Sequence, residues 1–167
     1  MTRIEMELSG GCQCGAVRYR ATAIQDNAHI CHCRMCQKAS GNYFAPLVGV
    51  AMADFRWTRG APGTFRSSEP VERGFCRDCG TPLYYRNVQG GHISIMLGSL
   101  DEPARVPPLR QYGNEARLPF FDDLPHLDGR SSRTEDDMGD LGVLIRRTTH
   151  QHPDHDTSIW PTKESHE

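Results

Sequence analysis

The stretch Cys31-His32-Cys33-Arg34-Met35-Cys36 constrains this chain more than any other. It places three cysteines within six residues, in a C-x-C-x-x-C pattern. Disulfides suit such spacing poorly, because bridged Cα atoms sit about 4.4–6.8 Å apart with a fixed torsion. A metal is the economical alternative. Three thiolates on one tight turn can face a single Zn2+, each at about 2.3 Å, and leave one tetrahedral position to be filled.

The other cysteines fall in Cys12-Gln13-Cys14 and Cys76-Arg77-Asp78-Cys79, so seven divide as two, three and two. The outer pairs suffice for a closed four-thiolate site, the usual arrangement for structural zinc. The middle group is then one ligand short, as at catalytic zinc sites, which keep a position open. Two other completions stay open at this level. His29, His32 or an aspartate would close the middle group into a second structural site. An iron–sulfur cluster would likewise need a fourth ligand.

Length and charge narrow the field. The 167 residues suit one domain with a real core. A net charge of -2 argues against bulk binding of nucleic acid or anionic membrane. No apolar run approaches the roughly 18 residues of a membrane span, and the first residues do not read as a signal peptide. Metal-type cysteine spacing without an export signal predicts a reducing, cytoplasmic location.

Residues 1–9 read as a lead-in to the glycine-framed turn around Cys12 and Cys14. Residues 16–21 alternate, with Val17 and Tyr19 on one face and Arg18 and Arg20 on the other, and predict a half-buried strand. Residues 22–29 read as a polar connection, and 34–39 as a short helical turn ending at Gly41. Further strands are expected at 43–52, with Pro46 marking an edge or bulge, and at 55–58, 64–67, 71–75, 83–86 and 92–97. In the last, Ile93, Ile95 and Leu97 face inward. Short strands punctuated by glycine and proline predict a mainly β domain over 1–128. From 129 to 167 the chain turns polar, acidic and histidine-rich, and predicts a mostly irregular tail, since little apolar surface offsets ordering entropy. Its His150, His152 and His155 are read as solvated rather than as metal ligands.

Three motifs carry a family resemblance: Gly10-Gly11-Cys12-x-Cys14-Gly15-x-x-x-Tyr19, Cys31-His32-Cys33-x-x-Cys36-x-x-x-Ser40-Gly41, and Phe75-Cys76-x-x-Cys79-Gly80-Thr81-Pro82-Leu83. In this order they resemble the glutathione-dependent formaldehyde-activating enzyme family, which includes centromere protein V. Gly98-Ser99-Leu100-Asp101 and the run from Leu118 to Pro125 are similar too, although Phe120 stands where relatives often carry Trp. The resemblance implies small β-sheets packed around two zinc sites, a β-tent. It implies a structural zinc on Cys12, Cys14, Cys76 and Cys79, and a catalytic zinc on Cys31, Cys33 and Cys36. It further implies a carbon–sulfur lyase of the S-(hydroxymethyl)glutathione synthase type, whose partners are a small-molecule thiol, glutathione, and a small aldehyde such as formaldehyde.

The chemistry agrees with that implication. Three thiolates leave zinc formally negative and a weak activator of water, but well suited to a fourth thiol, which metal binding deprotonates. Glutathione carries two carboxylates, so arginines near the metal segments are candidates: Arg34, Arg73, Arg77 and Arg110. His32 reads as a packing residue or a proton shuttle, and Ser40 and Asn42 as turn builders or pocket lining. The competing class is a non-catalytic zinc-stabilised β-domain that docks a protein or nucleic acid. It would need an exposed apolar patch, for which Phe120-Phe121 is the candidate.

Overall fold

The computed structural model describes residues 1–129 and 135–160. The chain forms two β-sheets. The smaller has three strands in the order β1-β2-β5: β1 (Arg3–Gly11), β2 (Arg18–Gln25) and β5 (Phe55–Arg59), all antiparallel. The larger has seven, in the order β10-β3-β4-β9-β8-β7-β6. These are β3 (His29–Cys31), β4 (Ala45–Ala51), β6 (Gly63–Ser68), β7 (Val71–Phe75), β8 (Pro82–Asn87), β9 (His92–Met96) and β10 (Arg110–Tyr112). Only the β10–β3 pair in it is parallel.

Alternation places the core. Val48 and Val50 of β4 stand opposite Ile95 and Ile93 of β9, and Tyr84 of β8 pairs with Ile95. All five are buried, as is Leu97. Fully burying such an aliphatic side chain contributes about 1.5–3 kcal/mol. From the smaller sheet, Tyr19 enters the same core between Phe55 and Trp57, with ring centroids 5.5 and 5.9 Å away. Its hydroxyl is satisfied by Ser99 Oγ at 2.7 Å.

Helix α1 (Arg34–Ser40) stops where expected: Gly41 adopts φ 62°, and its N–H caps the Gln37 carbonyl. Pro46 lies inside an interior strand, yet the β4–β9 register begins at Leu47, so Pro46 faces only Ile30 of β3. Its missing donor therefore costs the ladder nothing.

Three stretches differ from the sequence expectation. Residues 3–11 are a strand rather than a lead-in, because β2 offers a full antiparallel partner and buries Leu8. β2 continues to Gln25, well into the stretch read as a polar connection. The polar tripeptide Arg110–Tyr112 becomes β10 because the β3 edge is free to receive it. The larger sheet is accordingly wider than small separate sheets would be. The polar run after 128 holds a helix, α2 (Glu135–Arg147), interrupted at Gly139, and then a coil that returns to the domain. Part of that run, 130–134, and the last stretch, 161–167, lie outside the described residues.

Candidate metal centres

Two local turns of the same design build the first cysteine group. After β1, Cys12 donates its N–H to Val17 O (2.9 Å) and accepts at its carbonyl from Gly15 N–H (3.0 Å). Between β7 and β8, Cys76 donates to Thr81 O (2.9 Å) and accepts from Gly80 N–H (3.0 Å). Both turns need the left-handed backbone: Gly15 has φ 76° and Gly80 φ 77°. The turns face each other, and the Cys12, Cys14, Cys76 and Cys79 sulfurs all lie within 4.8 Å of one another. Two separations are 3.6 Å (Cys12–Cys14) and 3.8 Å (Cys14–Cys76). Sulfurs arranged tetrahedrally about an ion at about 2.3 Å stand roughly 3.8 Å apart, so the cradle fits such an ion.

Its electrostatics are in tension without a cation. Burial pushes the Cys12 thiol well up and Cys14 up to about 11. Burial also raises Cys79, but hydrogen bonds from the Thr81 hydroxyl and backbone outweigh it and bring that thiol down to about 6. A divalent cation would stabilise all four thiolates together.

The second group is Cys31, Cys33 and Cys36, whose sulfurs also lie within 4.8 Å of one another. Cys31 ends β3, Cys33 is the N-cap of α1 but makes no capping bond with its side chain, and Cys36 is buried in the helix. Burial pushes Cys31 up to about 12. It acts on Cys33 too, but the Cys36 N–H, the neighbouring thiols and the Arg73 charge together hold that thiol below its ordinary value. Among the described residues no histidine, aspartate or glutamate joins the three. All seven cysteines are free.

The structure separates the other candidates. His32 is fully buried; its Nε2 meets Gln111 Oε1 at 3.0 Å, and its ring packs edge-on to Phe121 at 4.7 Å. His29 bonds the Asn27 carbonyl through Nδ1 and packs edge-on to Tyr112. Arg34 donates to Gln37, Arg110 to the Asp26 carbonyl, and Arg77 packs against Gly63. Arg73 alone of the four reaches the sulfurs, donating through Nη2 to Cys36 Sγ at 3.5 Å. Ser40 Oγ donates to the Cys36 and Phe44 carbonyls, and Asn42 accepts from Tyr43 N–H, so both build the turn, and Ser40 also lines the adjoining cleft. Phe120 is exposed against Tyr43, whereas Phe121 is half-buried under Arg117.

Sequence reasoning missed two supports. The segment after β10 frames the three-cysteine turn: Tyr112 O accepts from His32 N–H at 2.8 Å, and Gly113 packs on Cys33. The coil after α2 covers the four-cysteine turn. His152 N–H donates to Gln13 O at 2.7 Å, and Trp160 donates its indole N–H to Cys14 O. Arg59 bonds both Gly15 O and Thr157 O. Asp156 pairs with Arg18 and Arg20. His152 is thereby buried and held by Pro153, Thr157 and Arg59. Composition gave no warning of either support, because the contacts are mostly to backbone.

A two-sheet β domain with one four-cysteine and one three-cysteine group, each able to chelate a metal ion, defines a class of metal-binding-type fold. The chain belongs to the glutathione-dependent formaldehyde-activating enzyme family, whose sequence profile matches residues 7–114. An uncharacterized lyase of Schizosaccharomyces pombe is 29% identical over 84 residues, 50% of this chain and 61% of that protein. The chain thus matches about three-fifths of that relative's length. A Rhodobacter sphaeroides protein, solved as a structural genomics target, shares the fold with a TM-score of 0.52 at 21% identity, over 62% of this chain and 98% of that one. No helix among the described residues is long and apolar enough to cross a membrane.

Proposed function

We propose that the chain is a zinc-dependent carbon–sulfur lyase of the S-(hydroxymethyl)glutathione synthase type. Cys12, Cys14, Cys76 and Cys79 hold a structural Zn2+, and Cys31, Cys33 and Cys36 hold a second with one position open to a thiol, glutathione in the first instance. The carrying observation is the contrast between the groups: four sulfurs converge in one and three in the other, with no fourth His, Cys, Asp or Glu ligand among the described residues. Family membership and the lyase relative support the reaction class.

A zinc ion in the second group would supply a Lewis acid that keeps an incoming thiol deprotonated yet nucleophilic. The protein's own residues do the rest. Cys33 and Cys36 present their sulfurs from a fixed helical turn, which Gly113 and Tyr112 hold in place. Arg73 sets a positive charge beside an otherwise anionic cluster. The net reaction is addition: a sulfur–carbon bond forms, the carbonyl π pair moves to oxygen, and the thiol proton ends on that oxygen, giving R–S–CH2–OH from formaldehyde. The free cysteines suit a reducing compartment, so we assign the protein to the cytoplasm.

The test is metal content with a glutathione titration, on wild type and Cys33→Ser. Two zincs in wild type, one in the variant, and saturable glutathione binding in wild type alone support the reading, with formaldehyde consumption as the following assay. Two tightly held zincs and no thiol binding would return the chain to the binding-module class. The exposed Tyr43–Phe120 ring pair, 5.2 Å between centroids, would then be the first docking surface to probe.

A further inference from the structure

A cleft of 280 Å³ opens beside the three-cysteine turn, between the end of α1 and strands β6 to β9. Its walls are largely apolar, with Ala45, Phe65, Phe75, Pro82 and Met96 among them. Arg73 is the one charged side chain that lines it. The Arg73 guanidinium lies over the Tyr85 ring at 5.2 Å, donates from Nε to Ser67 Oγ at 3.2 Å, and from Nη2 to Cys36 Sγ at 3.5 Å. It forms no ion pair with a carboxylate among the described residues. The carboxylate next in sequence, Glu72, does not line the cleft and is already paired with Arg86 at 2.6 Å.

A guanidinium offers five N–H donors in a rigid fork. The Tyr85 ring and the bonds to Ser67 and Cys36 restrain the group, and no hydrogen bond of Nη1 occurs among the described residues. An apolar cleft with one oriented cation next to a sulfur cluster suits a particular ligand: an anion with a slim apolar body and a group that seeks the cluster. We infer that the cleft receives the body of a carboxylate-bearing thiol and that Arg73 grips its carboxylate, making Arg73 the residue that selects acidic thiols over neutral or cationic ones. The inference rests on the proposed open position at Cys31, Cys33 and Cys36. Glutathione belongs to the class, and simple mercapto acids serve as its probes.

The test substitutes Co2+ into the protein and reads its thiolate absorption during titration with mercaptoacetate, 2-mercaptoethanol and cysteamine, which carry negative, neutral and positive charge beyond the thiol. A hydrogen bond to a charged group corresponds to about tenfold to a hundredfold in affinity. Wild type is expected to favour mercaptoacetate over 2-mercaptoethanol by at least about tenfold. Arg73→Gln is expected to lose that preference while still binding 2-mercaptoethanol, and Arg73→Lys to keep part of it. Circular dichroism reports folding, and Arg73→Lys carries the comparison if the glutamine variant does not fold. Equal affinity of wild type for the three thiols overturns the inference. So does an equal loss for all three in Arg73→Gln, which would assign Arg73 to Cys36 instead of to a ligand. If no thiol perturbs the cobalt spectrum of wild type, the open-site reading falls first and takes the inference with it.

Discussion

The Cα of Gly113 lies so close to Cys33 that a β-carbon on it would stand 2.6 Å from the Cys33 backbone nitrogen. Gly113 also has φ 68°, in the left-handed region. Gly113→Ala therefore meets both strain and a backbone clash, and is expected to cost about 1–3 kcal/mol from the strained conformation alone. The clash falls on Cys33, so chelator competition should show weakened metal retention in the three-cysteine group and near-normal retention in the four-cysteine group. Equal weakening of both would refute this assignment.

Arg18 and Asp101 form an ion pair in the interior, 3% and 8% exposed, at 2.5 Å, and Ser9 adds a hydrogen bond to the same carboxylate. Removing one partner of a buried pair typically costs about 3–5 kcal/mol, because the other charge is stranded. Arg18→Ala is expected to lose that much in urea unfolding. Arg18→Lys should recover part of it.

The same network sets an acid limit. Burial raises the Asp101 carboxyl, yet the hydrogen bonds and charge of Arg18 and the Ser9 bond bring it below its ordinary value. Asp156 is also lowered: burial opposes, and bonds from Arg18 and Arg20 prevail. A depressed folded pKa contributes stability above the unfolded value, near about 4 for Asp, that disappears as pH falls through the folded value. The stability contributed by these two carboxylates should therefore hold down to about pH 4 and decline below it. In Asp101→Asn that decline should be shallower.

The coil on the four-cysteine turn is expected to slow metal loss there. Asp156→Ala removes both of its arginine pairs, and Gly15→Ala would place a β-carbon 2.2 Å from the His152 ring. Each should speed zinc transfer to a chromogenic chelator severalfold, Gly15→Ala more, since its φ of 76° adds strain. Unchanged release from both variants would mean that the coil covers the turn without stabilising it.

His32 is enclosed by Phe44, Phe121 and Gln111, and its Nδ1 has no partner among the described residues. This favours packing over proton transfer. His32→Gln is expected to lower stability by about 1–3 kcal/mol, the range for disturbing a buried hydrogen bond, while the pH profile of thiol binding stays put. A moved profile at unchanged stability would restore the shuttle role.

What the sequence revealed and concealed follows from the range of the interactions. The cysteine turns were legible because their determinants, cysteine spacing and flanking glycines at 15, 41 and 80, act over a few residues. β9 was legible because Ile93 and Ile95 alternate toward one core. β10 was not: Arg110, Gln111 and Tyr112 are exposed, and only the free edge of β3 makes them a strand. The role of Arg73 was undecidable by the same logic, since Arg34 lies closer to the cysteines in sequence yet turns to Gln37. The coil at 148–160 binds through backbone carbonyls and three arginines of the smaller sheet, Arg18, Arg20 and Arg59, and no local pattern announces such contacts.

The parallel pairing of β10 on β3 has a consequence for how the protein matures on the ribosome. Every ligand of the four-cysteine cradle has been synthesised once Cys79 is made, and its two turns are locally closed. Cys31, Cys33 and Cys36 are made much earlier, but Tyr112 and Gly113, which frame them, come last among the sheet's contributors. During vectorial synthesis the three-cysteine group, complete at Cys36, thus waits for a framing strand made only after the last cradle ligand, Cys79. The three-cysteine turn is framed only when Tyr112 and Gly113 arrive, and the four-cysteine turn, though its ligands are then complete, is covered later still by the coil at 148–160.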